Sequence, residues 1–329
     1  MSRDLKNLLR FALENSDGTT ESTIDPEKAR WLSEFLATAS VDLSKQLKEH
    51  IETLSELCSI PDANETEILS TLQDILSLTE DLDLANDFFK MDGTELLLKL
   101  LFTGPSLVRP HAYQLLSNLT QNNPEAQKLC LEHNVLQRLI LCLPDTSDLD
   151  CLRKLLLGIS CLTRGFVPGV RIFLSSNGYD AVLDVLERLC SLPNAADLNE
   201  VKRVRDKGSF LIYCLLQDTL PDLMDEAKRK HLVSRLIEIT MRIPDVQEHL
   251  LASLIMLFHN APSVETSIDI ENIPGVVTRI TQPLASATSL IDNFVTWLDS
   301  QQEKTTDSNE PAHAEQRLYI GVLKDILVK

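Results

Sequence analysis

Asp148-Leu-Asp-Cys-Leu-Arg-Lys-Leu-Leu-Leu-Gly-Ile-Ser-Cys-Leu162 reads as one leucine-rich helix, and its ending decides the fold because that ending recurs. One small or medium residue sits among the helical leucine-rich positions at Leu76-Ser77-Leu78, Ser117-Asn118-Leu119, Ser160-Cys161-Leu162, Tyr213-Cys214-Leu215 and Ile255-Met256-Leu257. The central residues lie 41, 43, 53 and 42 positions apart, and the long interval contains Pro193-Asn-Ala-Ala-Asp197, which reads as an inserted loop. A second landmark keeps the same period: Phe89-Lys-Met-Asp-Gly93, Leu129-Cys-Leu-Glu-His-Asn134 and Phe173-Leu-Ser-Ser-Asn-Gly178. Each places Gly or Asn where one helix is expected to end in a left-handed cap before the next begins.

A purely helical period of about 40–47 residues marks armadillo or HEAT stacking, in which no unit buries its apolar face alone. The segments Pro124–Glu132, Val135–Leu143 and Asp148–Leu162 give three helices to a unit, the last the longest, which favours armadillo. The prediction is an all-α, armadillo-like right-handed superhelix, an α-solenoid with flanking N- and C-terminal helices. Composition agrees: of 329 residues 60 are leucine, 10 are glycine and 5% are aromatic. Sandwiches and barrels need more Val, Ile, Thr, aromatics and turn glycines than this.

Apolar Leu5, Leu8, Leu9, Ala12 and Leu13 at helical spacing predict an amphipathic helix and a flexible segment over residues 1–25. Pro26, capped by Asp25, opens N-terminal capping helices over 26–60, and the repeats fill 61–261. Residues 262–329 are read as C-terminal capping helices, at about 284–298 and 314–328, with a solvated linker near 299–311.

Net charge is −18, from 31 basic and 49 acidic residues, so nucleic acid is not expected as a partner. No apolar run approaches the roughly 18 residues of a membrane span, so no membrane partner is expected either. Met1-Ser2-Arg3-Asp4 lacks a signal peptide's apolar core, and the seven cysteines are scattered with no C-x-x-C pair. Together these predict a cytoplasmic protein with small, buried, reduced cysteines. No phosphate-binding glycine loop, dinucleotide fingerprint, zincin helix or nucleophile elbow is present, and the seven histidines lack metal spacing. Neither an enzyme nor a cofactor nor a metal is expected.

A solenoid's concave side is a binding surface, so the partner is the question. Peptide-binding armadillo proteins carry an inner ladder of Trp and Asn; here Trp31 and Trp297 lie outside the repeats and the repeat centres form no Asn ladder. Lys202, Arg203, Arg205 and Lys207 open the helix bearing Tyr213-Cys214-Leu215, and Arg153 and Arg164 flank the equivalent helix one repeat earlier. That run reads either as a solvated helix start or as a basic stripe suited to an acidic protein surface. The concave-face argument singles out Asn118, Asn122, Arg164 and Arg205.

Several segments resemble the Fes/heat-shock-protein-70-binding family of nucleotide exchange factors, in its cytosolic branch. They are Leu8-Leu-Arg-Phe-Ala-Leu-Glu-Asn-Ser-Asp-Gly-Thr19, Arg30-Trp-Leu32, Leu82-Asp-Leu-Ala-Asn-Asp-Phe88, Ile159-Ser-Cys-Leu-Thr-Arg164 and Lys207-Gly-Ser-Phe-Leu-Ile212, within roughly residues 5–260. Residues 261–329 depart from the family's pattern. The resemblance implies a co-chaperone that binds the ATPase domain of a cytosolic heat-shock protein 70 through its concave face and accelerates ADP release. It also implies partner-binding roles for Ala85, Asn86 and Lys207. Ala85 stands either at the concave mouth, where it would matter by being small, or in ordinary helix packing. An armadillo scaffold for a different partner is the alternative reading.

Overall fold

The computed structural model describes residues 26–60, 63–192, 198–218, 224–243, 248–259, 285–306 and 312–328. The helix expected at 5–13, the loop at 193–197 and residues 262–275 lie outside them. Fifteen helices and no strand occur among the described residues. The chain divides into units Met1–Gln46 and Leu47–Lys329. Helix α1, Pro26–Leu57, crosses that division. The expected N-terminal capping helices are thus one continuous helix, since no Gly or Pro interrupts residues 27–57.

After α2 (Glu65–Leu78), three-helix units follow. The first is α3 (Leu82–Lys90), α4 (Gly93–Phe102) and α5 (Arg109–Thr120). The second is α6 (Pro124–Glu132), α7 (Val135–Cys142) and α8 (Leu149–Thr163). The third is α9 (Val167–Ser175), α10 (Gly178–Cys190) and α11 (Leu198–Asp218). Each opens with a nine-residue helix, the armadillo pattern. Two helix pairs follow: α12 (Glu226–Arg242) with α13 (Glu248–His259), and α14 (Ala285–Thr306) with α15 (Ala312–Val328).

Helices α2, α5, α8, α11, α13 and α15 pack successively into one ladder, while α7, α10, α12 and α14 form the row behind it. Apolar stripes drive the stacking: Leu115, Leu116, Leu119, Leu152, Leu155, Leu156, Ile159 and Leu162 are all buried. Threonine marks the register. Thr79, Thr120 and Thr163 end α2, α5 and α8, and each hydroxyl donates to the carbonyl four residues back, at 2.9, 2.7 and 2.8 Å. Asn64, Asp81, Asn123 and Asp148 cap α2, α3, α6 and α8 by accepting first-turn N–H groups.

The short-helix junctions repeat more closely than the sequence pattern implied. Left-handed backbone falls on Asp92, Asn134 and Asn177 (φ 59°, 56° and 54°), while Gly93 and Gly178 begin the next helix. Both glycines are needed for close approach. A Cβ on Gly93 would lie 2.4 Å from the Phe88 ring and 2.5 Å from the Phe88 carbonyl oxygen. A Cβ on Gly178 would lie 2.4 Å from the Phe173 ring. The repeated element is therefore a fully buried Phe five residues before a Gly, Phe88–Gly93 and Phe173–Gly178. Phe89, by contrast, is half-buried and meets Phe88 edge-on at 5.6 Å.

Gly93→Ala and Gly178→Ala should each cost about 1–3 kcal/mol through overpacking. Gly321→Ala in α15, with nothing within 4 Å of the added carbon, should be neutral or slightly stabilising. Melting curves of the three variants check this, and a neutral Gly178→Ala would contradict the junction geometry.

The linker expected near 299–311 is corrected over residues 299–306, which are the last turns of α14. Phe294, Leu298, Gln301 and Thr305 are buried at spacings of four, three and four, so the packed stripe continues past the polar run that looked solvated. Arg317 of α15 also donates to the Thr305 carbonyl at 2.7 Å.

Candidate partner-binding groove

Two equivalent turns build a groove on the ladder. After α5 the chain runs Gln121 (φ −63°, ψ 119°) and left-handed Asn122 (φ 54°); after α8 it runs Arg164 (φ −64°, ψ 130°) and left-handed Gly165 (φ 65°). The offset is 43 residues, so Arg164 occupies the place that Gln121 holds one repeat earlier. Between these turns and α11 lies a cavity of about 550 Å³, lined mainly by Gln121, Asn122, Gln127, Arg164, Lys207 and Gln217. Ser160, Cys161 and Cys214 complete its floor, so three residues of the recurring tripeptides face it.

Three of the expected site residues meet here: Asn122, Arg164 and Lys207. Arg164 is exposed, its guanidinium carbon 5.0 Å from the centre of the Phe210 ring. Phe210 in turn meets His249 at 5.1 Å, and His249 stacks on Tyr213 at 5.5 Å, so the arginine ends an aromatic row shared by α11 and α13. Burial lowers the His249 pKa. Lys207 is half-buried, and that burial lowers its ammonium pKa below the ordinary lysine value, with Arg164 and Arg153 pushing the same way. Cationic, amide-lined and partly desolvated, the groove suits an anionic surface.

The other four expected residues do not join it. Ala85 is 0% exposed, so it packs within the first unit and is no part of a concave mouth. Arg205 is 6% exposed and lies near Cys190 at the end of α10, whose thiol pKa is raised by burial, a rise that Arg205 and Arg242 only partly offset. Residues two apart on a helix point about 200° apart, so Arg205 and Lys207 cannot line one face. Asn86 accepts from Asn123 Nδ2 at 2.8 Å, tying α3 to the cap of α6. Asn118 donates to the Leu76 carbonyl at 3.2 Å and accepts from Gln114, tying α5 to α2. Both asparagines work within the fold.

Sequence reasoning missed the glutamines. Gln127 is buried and donates to the Cys161 carbonyl at 2.7 Å, closing the groove's side; Gln217 donates to the Tyr213 hydroxyl at 2.9 Å. Gln217 lies three residues after Cys214, on the same helix face, which is the signal that could have found it.

Among the described residues no group of His, Cys, Asp and Glu could hold a metal ion, and no helix is long and apolar enough to cross a membrane. Burial raises the Cys130 thiol to about 12 and Cys151 to about 11. Alkylation of the native protein at pH 8 should therefore spare both, since only the thiolate reacts. Peptide mass mapping checks this, and rapid modification of Cys130 would contradict its burial.

Fold and groove together define an armadillo-type helical solenoid with a cationic groove on its ladder. Solved structures agree on the fold: a designed armadillo repeat protein in complex with the peptide (KR)4 superposes with a TM-score of 0.56 at 14% identity, covering 85% of this chain and 99% of that one. A second designed armadillo repeat protein gives 0.53 at 12% identity, covering 85% of this chain and 99% of its own. The chain belongs to the SIL1/FES1/HPBP1 family, whose C-terminal domain matches residues 84–254. The family of the nucleotide exchange factor Fes1 matches residues 5–88. Hsp70-binding protein 1 of Rattus norvegicus is 27% identical over 231 residues, 66% of this chain and 61% of that protein. The Homo sapiens protein of the same name is 27% identical over 229 residues, 65% of this chain and 60% of its own. The chain thus spans under two thirds of the length of these relatives.

Proposed function

We propose that this protein is a nucleotide exchange factor that binds the ATPase domain of a cytosolic heat-shock protein 70 and accelerates ADP release, without catalysing a reaction of its own. The observation that carries the reading is the cationic groove of Arg164 and Lys207, set on the ladder of the family-matched segment in a chain of net charge −18. The names of the relatives support the choice of partner.

The physical requirement is differential binding. A hundredfold faster release needs a barrier lower by about 2.7 kcal/mol. A rigid ladder supplies that only if it holds the open ATPase domain more tightly than the closed, nucleotide-bound one. Nucleotide must then weaken the factor by the same coupling. No covalent step is asked of the groove, so amides and two cations suffice.

Titrating the protein into the isolated ATPase domain without nucleotide, with ADP and with ATP tests the reading. Tight binding to the empty domain, weakened by either nucleotide, is expected. Equal affinity in all three states would contradict exchange activity.

A further inference from the structure

Several described cations meet carboxylates of their own chain. Asp150 takes Arg153 and Lys154, Glu200 takes Arg203, Glu226 takes Lys230, and Arg235 is shared among Asp180, Asp184 and Glu187. Arg164 and Lys207 have no such partner among the described residues, although acidic residues outnumber basic ones 49 to 31. They also share one cavity, so each raises the cost of the other's charge. The ring of Phe210 supports Arg164 without satisfying its N–H donors. Two unanswered cations, one half-buried, with amides around them, form an incomplete polar site.

We propose that Arg164 and Lys207 form an anion clamp which, with the amides of Asn122 and Gln217, receives one carboxylate from an acidic surface of the protein partner. A free oxyanion such as sulfate fits the same seat by the same chemistry. Arginine supplies the planar fork and lysine a mobile point charge, so the pair grips an oxyanion from two repeats at once. The clamp deepens the exchange-factor reading and rests on it only for the partner's identity; its own chemistry is tested on the free protein.

The full-length chain, with arginine and lysine side chains isotopically labelled, is titrated by NMR with sodium sulfate while sodium chloride holds ionic strength constant. A Glu-rich decapeptide and its Gln counterpart are then added. Saturable shifts of the Lys207 and Arg164 resonances are expected, with sulfate affinity falling roughly tenfold or more in Arg164→Gln and Lys207→Gln. Arg203→Gln, outside the groove, should bind as the wild type does. The Glu peptide should displace sulfate and the Gln peptide should not.

Shifts that never saturate, or that survive Arg164→Gln, would overturn the clamp. Sulfate binding that the Glu peptide fails to displace would overturn its assignment to carboxylates. Chaperone binding without anion binding removes the clamp and leaves the exchange-factor reading standing. Anion binding without chaperone binding does the reverse.

Discussion

Ala85→Arg is expected to destabilise the protein by several kcal/mol, on the order of 3–5, through overpacking and a charge with no partner in the core. Ala85 is 0% exposed, its neighbours Leu84 and Phe88 are buried, and α3 packs on α4 and α5. Its backbone N–H is already bonded to the Asp81 carbonyl at 2.9 Å, so the helix start cannot shift to make room without losing the cap. The melting temperature should fall by roughly 5–20 °C, and any loss of binding follows from that. A melting curve and a binding isotherm on one preparation separate the two effects. Normal stability with binding abolished would return Ala85 to the concave mouth.

Lys207→Glu should act in the opposite way, with binding lost and stability kept. The new carboxylate would stand near Arg164 and Arg153, so the fold gains an ion-pair partner where it had cationic repulsion. Towards an acidic partner surface the reversal replaces attraction with repulsion in a half-buried setting, which costs about 2–5 kcal/mol, or roughly thirtyfold and more in affinity. The same change at exposed Lys202 should leave affinity within about twofold, because solvent and salt screen it. Surface plasmon resonance against the ATPase domain reads both. Equal affinities for the two variants would return the basic run to a solvated helix start.

How much of this was legible in the sequence depends on how local the cause is. The recurring tripeptides set the period, and Thr79, Thr120 and Thr163 keep it in the structure. Apolar periodicity is a local property, so the ladder could be read from it. The junctions were half legible. Gly93 and Gly178 stood out, yet their task is to let a buried phenylalanine lie against the backbone, while the left-handed residues precede them.

The site was harder because it depends on which element lies next to which. Asn86 and Asn118 looked like recognition residues until their hydrogen bonds to Asn123 and the Leu76 carbonyl placed them inside the fold. Arg205 belonged to a basic run whose members a helix spreads over different faces. Arg164, Lys207 and Asn122 were legible because each stands on a turn or helix position tied to the repeat register. Gln127 and Gln217, each one of several polar residues on its helix, carried no signal beyond that register.

The central claim is that a ladder groove with no reactive machinery changes the kinetics of another protein's ligand. Stopped-flow release of a fluorescent ADP analogue from the ATPase domain of a cytosolic heat-shock protein 70 measures that directly. The account predicts a rate that rises with protein concentration to a plateau, and a plateau that Lys207→Glu does not reach at the same concentrations. A release rate unchanged at saturating protein would contradict it.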